Sequence, residues 1–302
     1  MSANAPLRSL LFVPGDSERK QTKALSAGAD ALILDLEDSV AEAQLPAARA
    51  RVFEFLKAHS GAAAPQRWVR LNGLASGKLL DDLAAVIGGK PEGVVLPKVS
   101  AVQEVHEVAH YLSALETREG IAAGSTRILV IATETPQALL TLGEYSGAAG
   151  GARLAALTWG MEDLSAALGT SAKTGSDGAL TPVLELARSL CLVAAAAAGV
   201  QAVDGVHADF RDTAGLTREA ARARRDGFTA KLAIHPDQVP IINAAFSPTA
   251  AEVEQARRVV AAFADNPNVG VTSLDGRMLD KPHLVLAQRV LELSRRGRLD
   301  KS

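Results

Sequence analysis

A (β/α)8 barrel, of the TIM-barrel type, carrying an extra C-terminal arm is the fold this α/β sequence predicts, on three observations. Between Ser9 and Ile234, short apolar runs of strand length alternate with longer helical stretches, and there are eight such runs. Most of the runs are continuously apolar rather than alternating, as strands of a parallel sheet covered on both faces must be. The chain, at 302 residues, has room for one large α/β domain of barrel size. The competing architecture, a doubly wound open sheet, usually has fewer strands and favours a glycine-rich phosphate turn after the first one. Here that turn is Val13-Pro14-Gly15-Asp16, with no GxGxxG.

The predicted strands are 9–13, 31–36, 67–71, 93–97, 127–132, 154–158, 202–206 and 230–234. Helices are predicted over 17–27, 46–59, 78–87, 101–116, 136–145, 182–198 and 218–226. Pro136 and Pro182 suit first-turn positions, where a missing N–H is harmless. Beyond the eighth strand, 249–264 reads as an amphipathic helix broken by Asn266-Pro267-Asn268. An extended piece over 270–274, the hairpin signal Leu274-Asp275-Gly276-Arg277 and a helix over 282–295 follow. Two domains are expected: a barrel over 1–247 that carries the chemistry, and a lid or arm over 248–302 that packs on a neighbouring subunit.

Composition excludes several function classes. Hydrophobic residues are 48% and charged residues 22%, ordinary for a globular chain, and the net charge of −2 provides no basic field for nucleic acid. The single cysteine, Cys191, rules out an intramolecular disulfide and any CxxC metal site; its apolar helical setting predicts an inert core thiol. No apolar run reaches the ~20 residues that span a bilayer, and the first six residues contain no signal-like apolar stretch. No membrane partner and a cytoplasmic location are the expectation.

Chemistry concentrates where the apolar runs finish. One run carries Arg70, a second ends on Glu134 and a third on Asp163. A charge at the end of a buried strand is unfavourable unless something pairs with it, and parallel α/β folds bind ligands at the carboxyl ends of their strands. Two carboxylates and a guanidinium there fit a hard divalent cation beside an anionic substrate. Mg²⁺ commonly takes one or two carboxylates and fills its octahedron with waters and substrate oxygens. Zinc is disfavoured, because there is no His-x-x-x-His pair and no cysteine cluster. On the residues alone, alternatives stay open. Glu134 and Asp163 also fit a structural ion-pair network, and Arg70 also fits a neutralising role toward Glu37 or Asp38. Lys98 fits an ion pair or a Schiff base, and His235 fits a structural role. Arg19, Lys20 and Lys23 fit a solvated helix face or a phosphate contact.

Seven motifs carry a family resemblance. They are Leu10-Leu11-Phe12-Val13-Pro14-Gly15, Asp35-Leu36-Glu37-Asp38-Ser39-Val40, Val69-Arg70-Leu71-Asn72, Leu96-Pro97-Lys98-Val99, Ala132-Thr133-Glu134-Thr135-Pro136, Gly160-Met161-Glu162-Asp163-Leu164 and Ala233-Ile234-His235-Pro236. In this order they resemble the citrate lyase beta-subunit-like (CitE-like) branch of the HpcH/HpaI aldolase/citrate lyase family, across essentially the whole barrel. The resemblance implies a Mg²⁺-dependent carbon–carbon lyase. Its substrate would be a 3-hydroxyacyl-CoA such as malyl-CoA or citramalyl-CoA, cleaved to, or formed from, an acyl-CoA and a 2-oxo acid. It also implies Glu134 and Asp163 as metal ligands and Arg70 as the catalytic residue that holds the substrate's negative charge. Glu37, Asp38 and Lys98 would orient this set, with the backbone N–H groups around Gly160, Met161, Glu162 and Asp163 cupping a substrate carboxylate and Arg19 and Lys23 toward the phosphates of coenzyme A. The tail run Asp275-Gly276-Arg277-Met278-Leu279-Asp280-Lys281-Pro282 resembles the lid of the longer members. In that lid an aspartate, best matched by Asp280 with Asp275 as competitor, reaches a neighbouring subunit's site as general acid/base. A homotrimer or hexamer is implied. The alternatives on the same scaffold are an acyl-CoA thioesterase, a malate-synthase-like activity, an aldolase on free 2-oxo acids, and a non-catalytic lyase subunit. The intact Arg70–Glu134–Asp163 set argues against the last.

Overall fold

Eight parallel strands close into a barrel in chain order in the computed structural model, which describes residues 6–61, 65–147, 151–265 and 270–299. They are β1 (Ser9–Pro14), β2 (Ala31–Asp35), β3 (Gln66–Arg70), β4 (Gly93–Leu96), β5 (Arg127–Ile131), β6 (Leu154–Thr158), β7 (Gln201–Asp204) and β8 (Ala230–Ala233). β8 pairs back onto β1, with Ser9 opposite Lys231. Leu10, Ile33, Trp68, Val95, Leu129, Ala156, Val203 and Leu232, one from each strand, belong to a single buried apolar cluster. Trp68 is accommodated because its neighbour across the β3–β4 register is Gly93; a Cβ there would lie 2.3 Å from the indole. A barrel interior is filled by side chains in this way and is no pore.

Helices α1 (Glu18–Ala24), α2 (Leu45–Ala58), α3 (Leu79–Val86), α4 (Val102–Arg118), α5 (Pro136–Thr141), α6 (Met161–Leu168), α7 (Pro182–Ala198), α8 (Thr213–Asp226) and α9 (Gln238–Ala245) follow the strands. Two of these, α6 and α9, are absent from the sequence-based expectation. α6 begins inside the Gly160–Leu164 run, where the charges at the strand end draw the reading, and α9 carries a proline. Pro240 reads as a breaker but sits in the first turn of α9, where it costs no hydrogen bond. α8 begins five residues before the expected start, because the Asp212 carboxylate caps it by accepting the Gly215 N–H at 2.8 Å. Cys191 is fully buried in α7, and burial pushes its thiol up, so it is unreactive as expected.

Backbone contacts divide the chain into two compact units, with the barrel over Leu7–Asn243 and the second unit continuing from Ala244. The second unit contains α10 (Ala250–Ala264), the antiparallel pair β9 (Val271–Leu274) and β10 (Arg277–Asp280), and α11 (Lys281–Leu299). Thr249 and Glu252 form a reciprocal capping box on α10. Asp275 and Gly276 both have positive φ, 53° and 73°, as a two-residue hairpin turn of the mirror-image type requires. Ala256, Val259, Phe263, Leu279 and Ala287 make the small core of this unit. The expected break at Asn266-Pro267-Asn268 lies outside the described residues. No helix among the described residues is long and apolar enough to cross a membrane.

Candidate active site

The carboxyl ends of the strands surround a cavity of about 400 Å³. Charged groups from Asp35, Asp38, Arg70, Glu134, Glu162 and Asp163 line it together with Phe12, Ile131, Trp159, Met161, Val206 and Ile234. Arg70, Glu134 and Asp163, which the sequence places at the ends of three separate runs, therefore share one chamber. The two carboxylates lie just past their strands. Glu134 falls in the loop between β5 and α5, and Asp163 in the first turn of α6. β5 and β6 are hydrogen-bonded neighbours, which explains why their loops deliver both carboxylates to one spot.

Glu134 is 4% exposed, and its Oε2 accepts the Lys98 backbone N–H at 2.5 Å. Burial, with the charges of Glu37 and Asp163 added, pushes its carboxyl up to about 8, despite the Lys98 bond and the nearby Arg70. The charge of Arg70 offsets the burial of this acid only in part. Gly160 makes room for it, since a Cβ there would lie 2.6 Å from Glu134 Cγ. The Gly160 N–H is already donated to Thr133 Oγ1 at 3.1 Å, which removes it from the backbone donors expected to cup a substrate carboxylate. Met161 and Glu162 line the cavity, and Glu162 is ion-paired with Lys173.

Arg70 is held from behind by a residue that the sequence did not single out. Its Nε and Nη2 donate to the two oxygens of Asp35 at 2.7 and 2.8 Å, a bidentate geometry. Asp35 and Arg70 end β2 and β3 and are direct register partners. A parallel register is invisible in a run of residues, although the position of Asp35 at the end of an apolar strand is a usable hint. Burial raises the Asp35 carboxyl, but the Arg70 hydrogen bond and charge outweigh it and hold it below the usual carboxylate range. Arg70 Nη1 faces Glu37 at 3.0 Å and Asp38 at 3.5 Å, and the guanidinium lies 4.8 Å above the Phe12 ring. Lys98 Nζ donates to Glu37 Oε1 at 2.6 Å and to Asp38 at 3.2 Å, and it lies 3.7 Å from Asp163 Oδ1. Burial alone would lower the pKa of that ammonium, but Glu37, Asp38 and Asp163 hold it above its ordinary value.

Not every predicted residue reaches the chamber. Arg19 and Lys23 are exposed on α1 and do not line it. His235 stacks on Phe210 at 4.6 Å and its ring Nδ1 accepts the Asp237 N–H, a structural setting. Asp280 lies in the second unit, where it is hydrogen-bonded to His283, whereas Asp275 is clamped by Arg258 at 2.5 and 2.7 Å.

The donor set at Glu134 and Asp163 is hard and oxygen-only. Among the described residues there is no group of three or more His, Cys, Asp or Glu that forms a complete ligand shell. Two carboxylates with open positions fit a Mg²⁺-type ion, which retains waters and substrate oxygens, better than a closed structural zinc site.

Known proteins resemble this chain over most of its length. The profile of the HpcH/HpaI aldolase/citrate lyase family matches residues 8–236. A (3S)-malyl-CoA thioesterase of Cereibacter sphaeroides is 35% identical over 288 residues, covering 95% of this chain and 94% of its own. The citrate lyase subunit beta of Escherichia coli is 36% identical, covering 94% and 92%. The crystal structure of CitE from Mycobacterium tuberculosis, in complex with magnesium, acetoacetate and coenzyme A, superposes with a TM-score of 0.76 at 34% identity over 96% of this chain and 99% of that one. With its closed barrel and a match of this extent, the chain belongs to the HpcH/HpaI aldolase/citrate lyase family.

Proposed function

We propose that this protein is a Mg²⁺-dependent lyase that cleaves, or forms, a 3-hydroxyacyl-CoA such as malyl-CoA or citramalyl-CoA. The observation that carries the reading is the meeting of Glu134 and Asp163 with Arg70 around one chamber. The magnesium and coenzyme A of the M. tuberculosis relative support it.

Cleavage removes the proton of the β-hydroxyl, breaks the Cα–Cβ bond and leaves a 2-oxo acid with a thioester enolate, which then takes a proton on carbon. Glu134 and Asp163 would hold the ion, which when bound lowers the pKa of a substrate hydroxyl and fixes its orientation. Arg70, held by Asp35 and facing Glu37 and Asp38, would set a fixed positive charge at the chamber toward negative charge on the substrate. Glu37, Asp38 and Lys98 keep Arg70 and the carboxylates in place. Asp280, hydrogen-bonded to His283, is the proposed acid/base that protonates the enolate, with Asp275 held in an ion pair by Arg258. Delivery of Asp280 from a neighbouring copy, assembly as a homotrimer or hexamer, and a cytoplasmic location belong to the same proposal.

A second reading, thioester hydrolysis, is favoured by the relative named (3S)-malyl-CoA thioesterase. A Mg²⁺ titration with malyl-CoA and citramalyl-CoA separates the two. A lyase releases a 2-oxo acid with no free thiol, whereas hydrolysis releases free CoA and no 2-oxo acid. Turnover of neither substrate at any Mg²⁺ concentration would overturn both readings.

A further inference from the structure

The geometry points to Lys98 as a positioning residue that sets how tightly the chamber holds its divalent cation. Three non-glycine residues among those described have positive φ, and one of them, Lys98 at 56°, contacts Glu134 and Asp163 of this chamber. A left-handed backbone is uncommon for a side chain of this size and persists where the surroundings impose it. Both ends of the residue are engaged. Its backbone N–H holds Glu134 Oε2 at 2.5 Å, and its ammonium bridges Glu37 at 2.6 Å, Asp38 at 3.2 Å and Asp163 at 3.7 Å. One residue thus touches both proposed metal ligands, one through its main chain and the other through its side chain.

These two contacts act in opposite directions on a cation. The N–H orders Glu134 in place, which favours binding. The ammonium stands in for a cation at Asp163, and its repulsion of an incoming ion opposes binding. When an ion takes up Asp163, Glu37 and Asp38 remain as the ammonium's partners, so Lys98 need not leave. Lys98 is therefore a resident counter-charge that weakens cation affinity, while its left-handed backbone preserves the ligand geometry. This inference rests on the reading that Glu134 and Asp163 ligate the ion.

The test is Mn²⁺ binding, followed by electron paramagnetic resonance, to the full-length wild type and to Glu134→Gln, Lys98→Met, Lys98→Gly and Lys98→Ala. Lys98→Met and Lys98→Gly are expected to bind Mn²⁺ roughly three- to tenfold more tightly than wild type, as loss of one nearby positive charge implies. Unchanged or weaker binding in both would overturn the role of the ammonium. Lys98→Gly, which adopts φ above zero without strain, is expected to melt at a higher temperature than Lys98→Ala. An alanine variant that melts at or above the glycine variant would overturn the backbone role. Wild-type Mn²⁺ affinity in Glu134→Gln would instead overturn the underlying ligand assignment.

Discussion

Gly160→Ala is a one-carbon change aimed at the proposed metal ligand Glu134 rather than at the backbone. Gly160 caps α6 with φ −115° and ψ 110°, an extended conformation that alanine adopts freely. The effect is therefore steric. The new Cβ would lie 2.6 Å from Glu134 Cγ, 3.3 Å from its Cδ and 3.1 Å from Ile131 Cγ2. Restoring an ordinary contact of 3.4 Å requires Glu134 to recede by about 0.8 Å from the position in which Lys98 fixes it. Overpacking of this kind costs about 1–3 kcal/mol, or roughly 2–10 °C in melting temperature for a domain of this size. A shift approaching 1 Å at the reacting centre costs on the order of 10²-fold in rate. The variant should thus fold with a modestly lower melting temperature, while its Mg²⁺-dependent turnover falls about a hundredfold and its Mg²⁺ requirement moves to higher concentration. Thermal unfolding and turnover as a function of Mg²⁺ measure both. Wild-type turnover with an unchanged Mg²⁺ dependence would refute the placement of Glu134 against Gly160.

Three further outcomes follow from the same geometry. Asp35→Asn should leave the buried Arg70 guanidinium without its bidentate partner, destabilise the fold by about 3–5 kcal/mol and raise the KM, read by denaturant unfolding and initial rates. Glu116, buried and bound to Arg153 at 2.6 Å and to the N–H groups of Gly124 and Thr126, has its carboxyl lowered to about 2 although burial by itself would raise it. A depressed carboxyl stabilises the fold above its unfolded value of 4.5 and loses that contribution as the pH falls toward 2. Glu116→Gln should therefore lower stability at pH 7 by about 3–5 kcal/mol and flatten the acid limb of the stability curve, and an unchanged limb would count against the assignment. Asp280→Asn should cut turnover by about 10²–10⁴-fold with Mn²⁺ affinity unaltered, whereas Asp275→Asn should stay within a few-fold of wild type. Equal losses in the two would make the hairpin, not Asp280, the critical element.

Much of the barrel is legible in the sequence because its strands are buried on both faces, and so appear as unbroken apolar runs that a single chain displays directly. Arg70, Glu134 and Asp163 stand out for a related reason, as charges at the margins of apolar runs. What escapes notice depends on juxtaposition. Asp35 becomes the partner of Arg70 only through the β2–β3 register, and Gly160 matters only because Glu134 packs against the place where its side chain would be. The resemblance favours Asp280 over Asp275, and the pairing of Asp275 with Arg258, 17 positions away, is a contact that the order of residues does not display. The helices α6 and α9 escape notice because α6 starts within a run that reads as a charged strand end and α9 carries Pro240, which reads as a breaker.

The claim that two carboxylates at the barrel mouth bind the ion used in catalysis is tested most directly by isothermal titration of Mg²⁺ into wild type, Glu134→Gln and Asp163→Asn. One ion per chain in the wild type, with binding lost in both variants while both still unfold cooperatively, is the result expected. Wild-type Mg²⁺ affinity retained in both variants would contradict it.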